Sequence, residues 1–587
     1  MSDLPSHAMN SASHAPRTPP SPPLPLRLWP GVLIVALQWL ARFVVPVLVP
    51  AAMPYGVLAG LVGSVAAIVW WVFFSRARWS DRLGFLVVIA AGILGTWRIV
   101  HPSIAGGMMG LMFFVYVFPG LCLALVASVA ATRKLADGPR RAAIVAALLV
   151  SCLIWTLVRT GGFSSDLNHD WAWRWAATPE ERLVARSAPK PAAPVPTAVA
   201  PQTTAASWPG FRGPGRDSVI RGVRIETNWS THPPTELWRQ PVGPGWSSFA
   251  VSDGLLYTQE QRGDDEIVAC YRLANGEPVW THRDAVRFWE SNAGPGPRGT
   301  PTLHHGRVYT FGATGVLNAL DARTGAVLWS RNAATDTKAK LPDWGFSSSP
   351  LVEGDLLIVA TSGILAAYDL ATGAPRWTGP TEGGGYSSPH LFEIAGVRQI
   401  VFMSGTGAIS VAPTDGKVLW QHAWKGFPIV QPAQLADGDL LISTGDSSGV
   451  RRLHAAQDKG TWTATERWAS TRLKPYFNDY VAHRGHVYGF NSGALACLDL
   501  ADGERKWKGG RVGAGQLVLL ADQDVLLVLS EQGDLALVSA LPAEFVELAR
   551  IKALEGKTWN HPVLAGDTLL VRNDREMVAY RLHPKAR

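Results

Sequence analysis

Apolar residues are packed into one end of the chain and alternate along the other. Up to residue 158 they form long runs near 29–50, 53–74, 83–100, 104–131 and 142–158. A helix needs roughly 20 such residues to cross the hydrocarbon core, so five transmembrane helices are predicted. From residue 208 onward, short segments alternate apolar and polar positions with period two, the mark of half-buried strands. Seven of these segments end on a tryptophan, at 238, 280, 329, 377, 420, 468 and 507, with intervals of 42, 49, 48, 43, 48 and 39 residues. Strand-built repeats of roughly 40–50 residues predict propeller blades, because one such unit cannot bury both faces and stacks on its neighbours.

Five of the segments align directly: YRLANGEPVW, LDARTGAVLW, YDLATGAPRW, APTDGKVLW and LDLADGERKW, ending at Trp280, Trp329, Trp377, Trp420 and Trp507. Each carries a glycine four residues before the tryptophan (Gly276, Gly325, Gly373, Gly416, Gly503), which predicts a tight turn at positive φ between a third strand and a fourth. Two further blades are degenerate. RRLHAAQDKGTWTATERW implies a longer connection before Trp468, and LALVSALPAEFVEL places Leu548 where the tryptophan is expected. The last group, HPVLAGDTLLVRNDREMVAYRL, supplies three strands and lacks a fourth, while TELWRQP around Trp238 reads as a fourth strand without a blade. Pairing the two closes the ring, removes exposed edges and gives eight blades.

The predicted organisation is therefore a disordered cytoplasmic N-terminus over 1–27, a five-span domain over 28–158, a juxtamembrane segment with an Ala/Pro-rich tether over 159–207, and the propeller over 208–587. Basic residues fix the expected orientation. Arg76, Arg78 and Arg82 lie between spans two and three, and Arg133, Lys134, Arg140 and Arg141 between four and five, whereas the loops on the other side are nearly uncharged. The positive-inside bias then puts the N-terminus in the cytoplasm and everything after residue 158 outside, periplasmic in a bacterium with an outer membrane. Trp171, Trp173 and Trp175, just past the last span, read as interfacial anchors.

Those loop cations partly account for the net charge of +8, and no basic stripe interleaved with aromatics is present, so no nucleic-acid partner is expected. Of four cysteines, Cys122 and Cys152 fall in spans. Cys270 and Cys497 stand ten residues before a repeat tryptophan, where Ala319, Ala367 and Ser410 stand in other blades, and read as small buried strand residues. No Ser-His-Asp order, zinc spacing or phosphate-binding glycine loop is evident.

DARTGAVLW, DLATGAPRW and DLADGERKW resemble the pyrroloquinoline-quinone (PQQ) repeat of eight-bladed quinoprotein propellers, over roughly residues 208–587 by the repeat spacing. Two groups share that repeat: quinoprotein dehydrogenases, which hold PQQ and calcium over the channel, and non-catalytic propellers such as the assembly lipoprotein BamB. Five spans before a periplasmic propeller resemble membrane-bound glucose dehydrogenase, which reduces ubiquinone. WPGFRGPGRD at 208–217 is similar to a lead-in of PQQ-like propeller proteins. Against a dehydrogenase, the propeller is short, has no adjacent Cys-Cys pair and no C-x-x-C-H haem motif, and the family's calcium ligands and catalytic Asp do not align. The resemblance thus implies a binding or scaffolding propeller that docks envelope proteins. Its alternative is a PQQ- and calcium-dependent alcohol or sugar dehydrogenase feeding membrane ubiquinone.

Candidate site residues lie on loops expected at one mouth of the ring. In THRDAVRFWESNAGPGPR, Glu290 and Asn292 offer oxygen ligands for a hard cation and Arg298 an anion partner, as a PQQ and calcium site would need. The same loop reads more readily as a solvated network of Arg283, Asp284, Arg287 and Glu290. In KPYFNDY and GKTWNHP, Lys474, Asn478, Asp479 and Lys557 are candidate polar contacts and Trp559 a stacking surface, with core packing as the alternative. Glu260, Arg262, Asp264, Asp265 and Glu266 form either a calcium-holding cluster or a charged hairpin tip. Repeated serines in SSF, SSSP and YSSP suit the crowded centre of the ring. Gln38 and Arg42, one turn apart in the first span, suggest a quinone or inter-helix contact, with snorkelling or a misplaced span boundary as the alternatives.

Overall fold

The computed structural model of the protein describes residues 26–49, 52–165, 169–186, 206–445 and 448–585. The predicted disordered N-terminus and the Ala/Pro-rich tether fall almost wholly outside the described residues. The described chain forms two compact units, one of residues up to Val100 together with Leu111–Leu157, the other of His101–Gly110 and everything from Val158.

The first unit contains five helices long and apolar enough to cross a membrane: Trp29–Leu48, Met53–Phe74, Trp79–Ile99, Met112–Ala131 and Asp137–Leu157. The fourth begins eight residues later than the apolar run suggests, because Pro102–Ala105 is a separate helical turn and Met108, Met109 and Gly110 take positive φ. Within this unit Gln38 donates to Gly60 O and Ser64 Oγ, both at 2.7 Å, and the Arg42 guanidinium lies 5.0 Å from the Tyr116 ring. The polar pair of the first span thus makes inter-helix contacts.

The second unit is an eight-bladed propeller. Seven blades are consecutive sheets of four antiparallel strands, the first running Ala250–Ser252, Leu255–Arg262, Asp265–Arg272 and Pro278–Asp284, and the seventh gains Val219–Ile220 as a parallel fifth strand. The eighth joins Val563–Ala565, Thr568–Arg572 and Glu576–Arg581 to Thr235–Pro241, with Ala579 opposite Trp238. The composite closing blade is therefore as the unpaired strand around Trp238 predicts.

The repeat tryptophans join each blade to the next. Trp238, Trp280, Trp329, Trp377, Trp468 and Trp507 donate their indole N–H to Leu273, Ala322, Leu370, Pro413, Leu500 and Leu541 carbonyls in the following blade, at 2.8–3.2 Å. Five of the indoles also press on that blade's turn glycine. A Cβ on Gly276, Gly325, Gly373, Gly416 or Gly503 would lie 2.5–2.8 Å from an indole carbon, and all five have φ of +70° to +73°. Across its own blade six of the seven tryptophans face a small residue: Cys270, Ala319, Ala367, Ser410, Cys497 and Ala579 oppose Trp280, Trp329, Trp377, Trp420, Trp507 and Trp238, while Trp468 faces Arg452. This explains both buried, unpaired cysteines of the propeller.

The degenerate blades correct two expectations. Before Trp468 the strands are lengthened, not the loop: Val450–Asp458 and Thr461–Ser470 meet at a tight turn. Trp420, facing a blade without the usual glycine turn, donates instead to Gln399 Oε1 in its own sheet, at 2.9 Å. In the seventh blade the register position of the tryptophan is held by Ala549, opposite Leu537, while Leu548 occupies the bulge and is 41% exposed. The large and small partners have changed strands, so Leu548 does not replace the indole.

Candidate binding cavity at the propeller mouth

Each blade contributes one residue at the same place, two positions before the core of its innermost strand: Ser248, Thr300, Ser349 and Ser388 from the first four blades. Gln431, Asp479, Gln516 and His561 follow from the rest. Strands converge here, so side chains must be small or find a polar partner in the neighbouring blade. They form a girdle. Ser248 N–H donates to Thr300 Oγ1 (3.1 Å), Thr300 N–H to Ser349 Oγ (3.0 Å), and Ser349 N–H to Ser388 Oγ (2.9 Å). Ser388 N–H then donates to Gln431 Oε1 and Gln431 N–H to Asp479 Oδ1, both at 2.8 Å. Ser248 Oγ ties the first blade to the eighth by donating to the His561 carbonyl at 2.5 Å.

All eight girdle residues line a cavity of about 360 Å³. Its walls are aromatic. Trp559 packs on Trp246 and Phe477, each with ring centres 4.9 Å apart, and Trp344 stacks on Tyr386 at 5.1 Å. Below the girdle runs the lead-in segment. Phe211 lines the cavity, while Arg212 bonds to the Tyr480 carbonyl (3.0 Å) and lies 3.4 Å from Asp479. Arg216 donates to the carbonyls of Ser349, Pro350 and Pro389. WPGFRGPGRD is thus a channel plug whose two guanidiniums cap inward-facing carbonyls of several blades. Burial, followed by Arg212, pushes the His561 imidazole down to about 3. It is neutral, with Nδ1 toward the Pro562 carbonyl and Nε2 toward Ser218 Oγ.

Above the girdle the mouth is roofed by segments far from the repeats. Phe163, Ser165, Met108 and Met109 line the cavity. Val158–Phe163 and His169–Trp173 form a hairpin held by Ser165, whose N–H (2.7 Å) and hydroxyl both donate to the Glu531 carboxylate. Asp170 pairs with Arg575, and Glu180, in the following helix Pro179–Arg186, clamps both Arg287 nitrogens at 2.7 and 2.9 Å. Gly162 has φ +107°, and a Cβ there would meet the Asn292 carbonyl at 2.4 Å and Lys557 Nζ at 2.6 Å. The double glycine in VRTGGF lets the roof backbone seat on the mouth.

Of the residues singled out from sequence, Glu290, Asn292, Arg298, Asp479 and Trp559 line this cavity. Lys557 stands behind its wall, its Nζ 4.5 Å from the Trp559 ring centre and 3.0 Å from the Asn292 carbonyl. Burial pulls its ammonium down to about 8. Asn478, next to Asp479, instead donates to the Gly515 carbonyl at 2.5 Å, and neither it nor Lys474 is among the lining residues. The loop 281–298 divides. Glu290 faces inward, whereas Arg283 pairs with Asp265, Asp284 accepts from Asn318, and Arg287 reaches Glu180. The roof and the girdle glutamines carry no repeat signature; VRTGGF and the two-residue offset from each inner strand are the signals that mark them.

Of the second acidic cluster, Arg262, Asp264 and Asp265 form the charged hairpin tip, whereas Glu260 and Glu266 are buried in its two strands. Glu266 accepts from Ala313 N–H at 3.0 Å through one oxygen, and its other oxygen has no partner among the described residues. Burial, with Asp284 adding to it, pushes this carboxyl up to about 7. A raised folded-state value means stability present below the unfolded value near 4.5 and lost as pH rises through about 7. Between two and three units at 1.4 kcal/mol each give about 3 kcal/mol. Glu266→Gln is therefore expected to raise the propeller's thermal midpoint by a few degrees at pH 8 and leave it unchanged at pH 5, as read by circular dichroism.

The family model described as outer membrane protein assembly factor BamB matches residues 230–390, 285–509 and 389–584. A tetrathionate hydrolase of Acidithiobacillus ferrooxidans is 34% identical over 139 residues, 22% of this chain and 26% of that protein. The outer membrane protein assembly factor BamB of Shewanella oneidensis is 29% identical over 155 residues, 24% of this chain and 36% of that protein. Both matches thus span well under two thirds of the curated relatives. Among solved structures, BamB from Moraxella catarrhalis is similar with a TM-score of 0.45 at 16% identity, covering 60% of this chain and 99% of that one. A quinohemoprotein alcohol dehydrogenase from Pseudomonas putida is similar with a TM-score of 0.47 at 15% identity, covering 65% and 81%.

Proposed function

Since the chain belongs to the family described as outer membrane protein assembly factor BamB, we propose that it is a membrane-anchored scaffolding propeller that binds other envelope proteins. In this reading the five helices hold it in the inner membrane with the N-terminus cytoplasmic and the propeller periplasmic. The charge asymmetry of the loops supports that orientation.

One observation carries the choice of scaffold over dehydrogenase: the carboxylates of the mouth are already committed to the protein. Glu290 accepts from Asn292 N–H (2.7 Å) and Ala293 N–H (2.5 Å) and lies 3.3 Å from Arg298. Asp479 accepts from Gln431 N–H and faces Arg212. Calcium takes six to eight oxygen ligands, and among the described residues no three His, Cys, Asp or Glu side chains come together as a metal-holding group. The donor set that the PQQ and calcium of the alternative reading would need does not fit these residues, and no step through that cofactor is derived.

The outer strands offer the scaffold an apolar binding surface, where Val327, Leu328 and Val418 are exposed. With a photo-crosslinking amino acid at position 327 or 418 of the full-length protein, irradiated cells are expected to give discrete adducts with an envelope protein. Adducts at neither position would count against the scaffold reading.

A further inference from the structure

Beyond protein docking, we propose that the roofed mouth cavity binds a small uncharged ring compound carrying carbonyl or ether oxygens on an apolar body.

Charge excludes an ionic occupant. The ionised side chains on the lining are neutralised inside the protein, Glu290 by Arg298 and Asp479 by Arg212, and His561 is neutral. An ionic ligand would lose its hydration without gaining a free counter-charge, a cost of several kcal/mol for a buried ion.

Hydrogen bonding asks for acceptors. Thr300 Oγ1, Ser349 Oγ and Ser388 Oγ each accept an N–H from the preceding blade. A hydroxyl whose lone pair is so engaged keeps its proton to donate. Three adjacent blades therefore present donors along one arc of the cavity, and a carbonyl or ether oxygen satisfies them. Asn292, also on the lining, carries a buried side-chain oxygen with no partner among the described residues.

Shape and surface supply the rest. The Trp246 and Trp559 indoles stand on one wall and the Trp344–Tyr386 stack on another, with Phe163 and the two methionines above. Flat rings find stacking surfaces there, and about 360 Å³ lies within the usual range for one small ligand.

The test uses three probes of nearly one size with the full-length protein in detergent. Coumarin is uncharged and has a lactone carbonyl, coumarin-3-carboxylate adds a charge, and naphthalene has no acceptor. Calorimetry is expected to give coumarin a Kd on the order of tens of micromolar, with the other two at least tenfold weaker. Ser349→Ala with Ser388→Ala is expected to cost coumarin about tenfold. Because the girdle also joins blades, Phe163→Ala in the roof provides a second variant, expected to weaken coumarin severalfold without touching a blade. Three results would each overturn the proposal: no coumarin binding, equal or tighter binding of the carboxylate or of naphthalene, or an affinity unchanged in both variants.

Discussion

Replacing Arg572 with methionine is expected to lower the thermal midpoint of the propeller by about 5 °C at pH 7, equivalent to roughly 3–5 kcal/mol for a unit of this size. Arg572 ends a strand of the closing blade, yet its guanidinium reaches into the first. It donates to Thr258 Oγ1 (2.6 Å) and to the carbonyls of Gln259 (3.0 Å) and Gly243 (2.9 Å). Beside it lies the fully buried Glu260, which Arg262 contacts at 2.8 Å and Tyr271 at 2.6 Å. Burial alone would raise the Glu260 carboxyl, but Arg262 and Arg572 outweigh it and hold the group below its ordinary value. Methionine keeps most of the volume and removes both the donors and a counter-charge. A depressed carboxyl contributes stability above its unfolded value that is lost as pH falls, so the penalty should shrink as the medium is acidified below about pH 4. A deficit of equal size at pH 7 and at about pH 3 would show that Glu260 plays no part in it.

Gly325→Val is expected to cost a similar amount, about 3–4 kcal/mol, from two separate causes. At φ +73° a branched side chain is strained wherever it sits. Here the new Cβ would also fall 2.5 Å from Cε3 of Trp280 in the preceding blade. The contributions separate in a double-mutant cycle. Trp280→Ala removes the steric part and leaves the backbone strain, so the double variant should be more stable than the sum of the single losses by at least about 1 kcal/mol. Additive losses would mean that the glycine serves only the turn.

These two sites mark how far the sequence could be read. The turn glycine and its tryptophan are local and repeated, so period and spacing exposed the blades, their number and the closing strand at Trp238. What each tryptophan touches was less visible, since its partner lies about 40 residues on, as Trp280 and Gly325 show. Arg572 leaves no local trace, because its partners are some 310–330 residues away in the chain. The girdle was half legible. SSF, SSSP and YSSP stood out, but the same place holds Gln431, Asp479, Gln516 and His561, which share a position and not a residue type. Within KPYFNDY, just before the inner strand, Asp479 lines the cavity and its neighbour Asn478 donates to the Gly515 carbonyl, a difference the sequence does not mark. The roof was hidden for a further reason: residues 104–111 are apolar enough to be absorbed into the fourth span, although Met108 and Met109 belong to the cavity.

If the polar groups of the mouth serve the propeller's own structure and leave no quinoprotein centre, calorimetric titration of the full-length protein with PQQ in the presence of calcium should show it. No saturable heat is expected up to tens of micromolar PQQ, and no dye reduction with alcohols or sugars. A saturable, calcium-dependent binding isotherm accompanied by dye-linked turnover would contradict it.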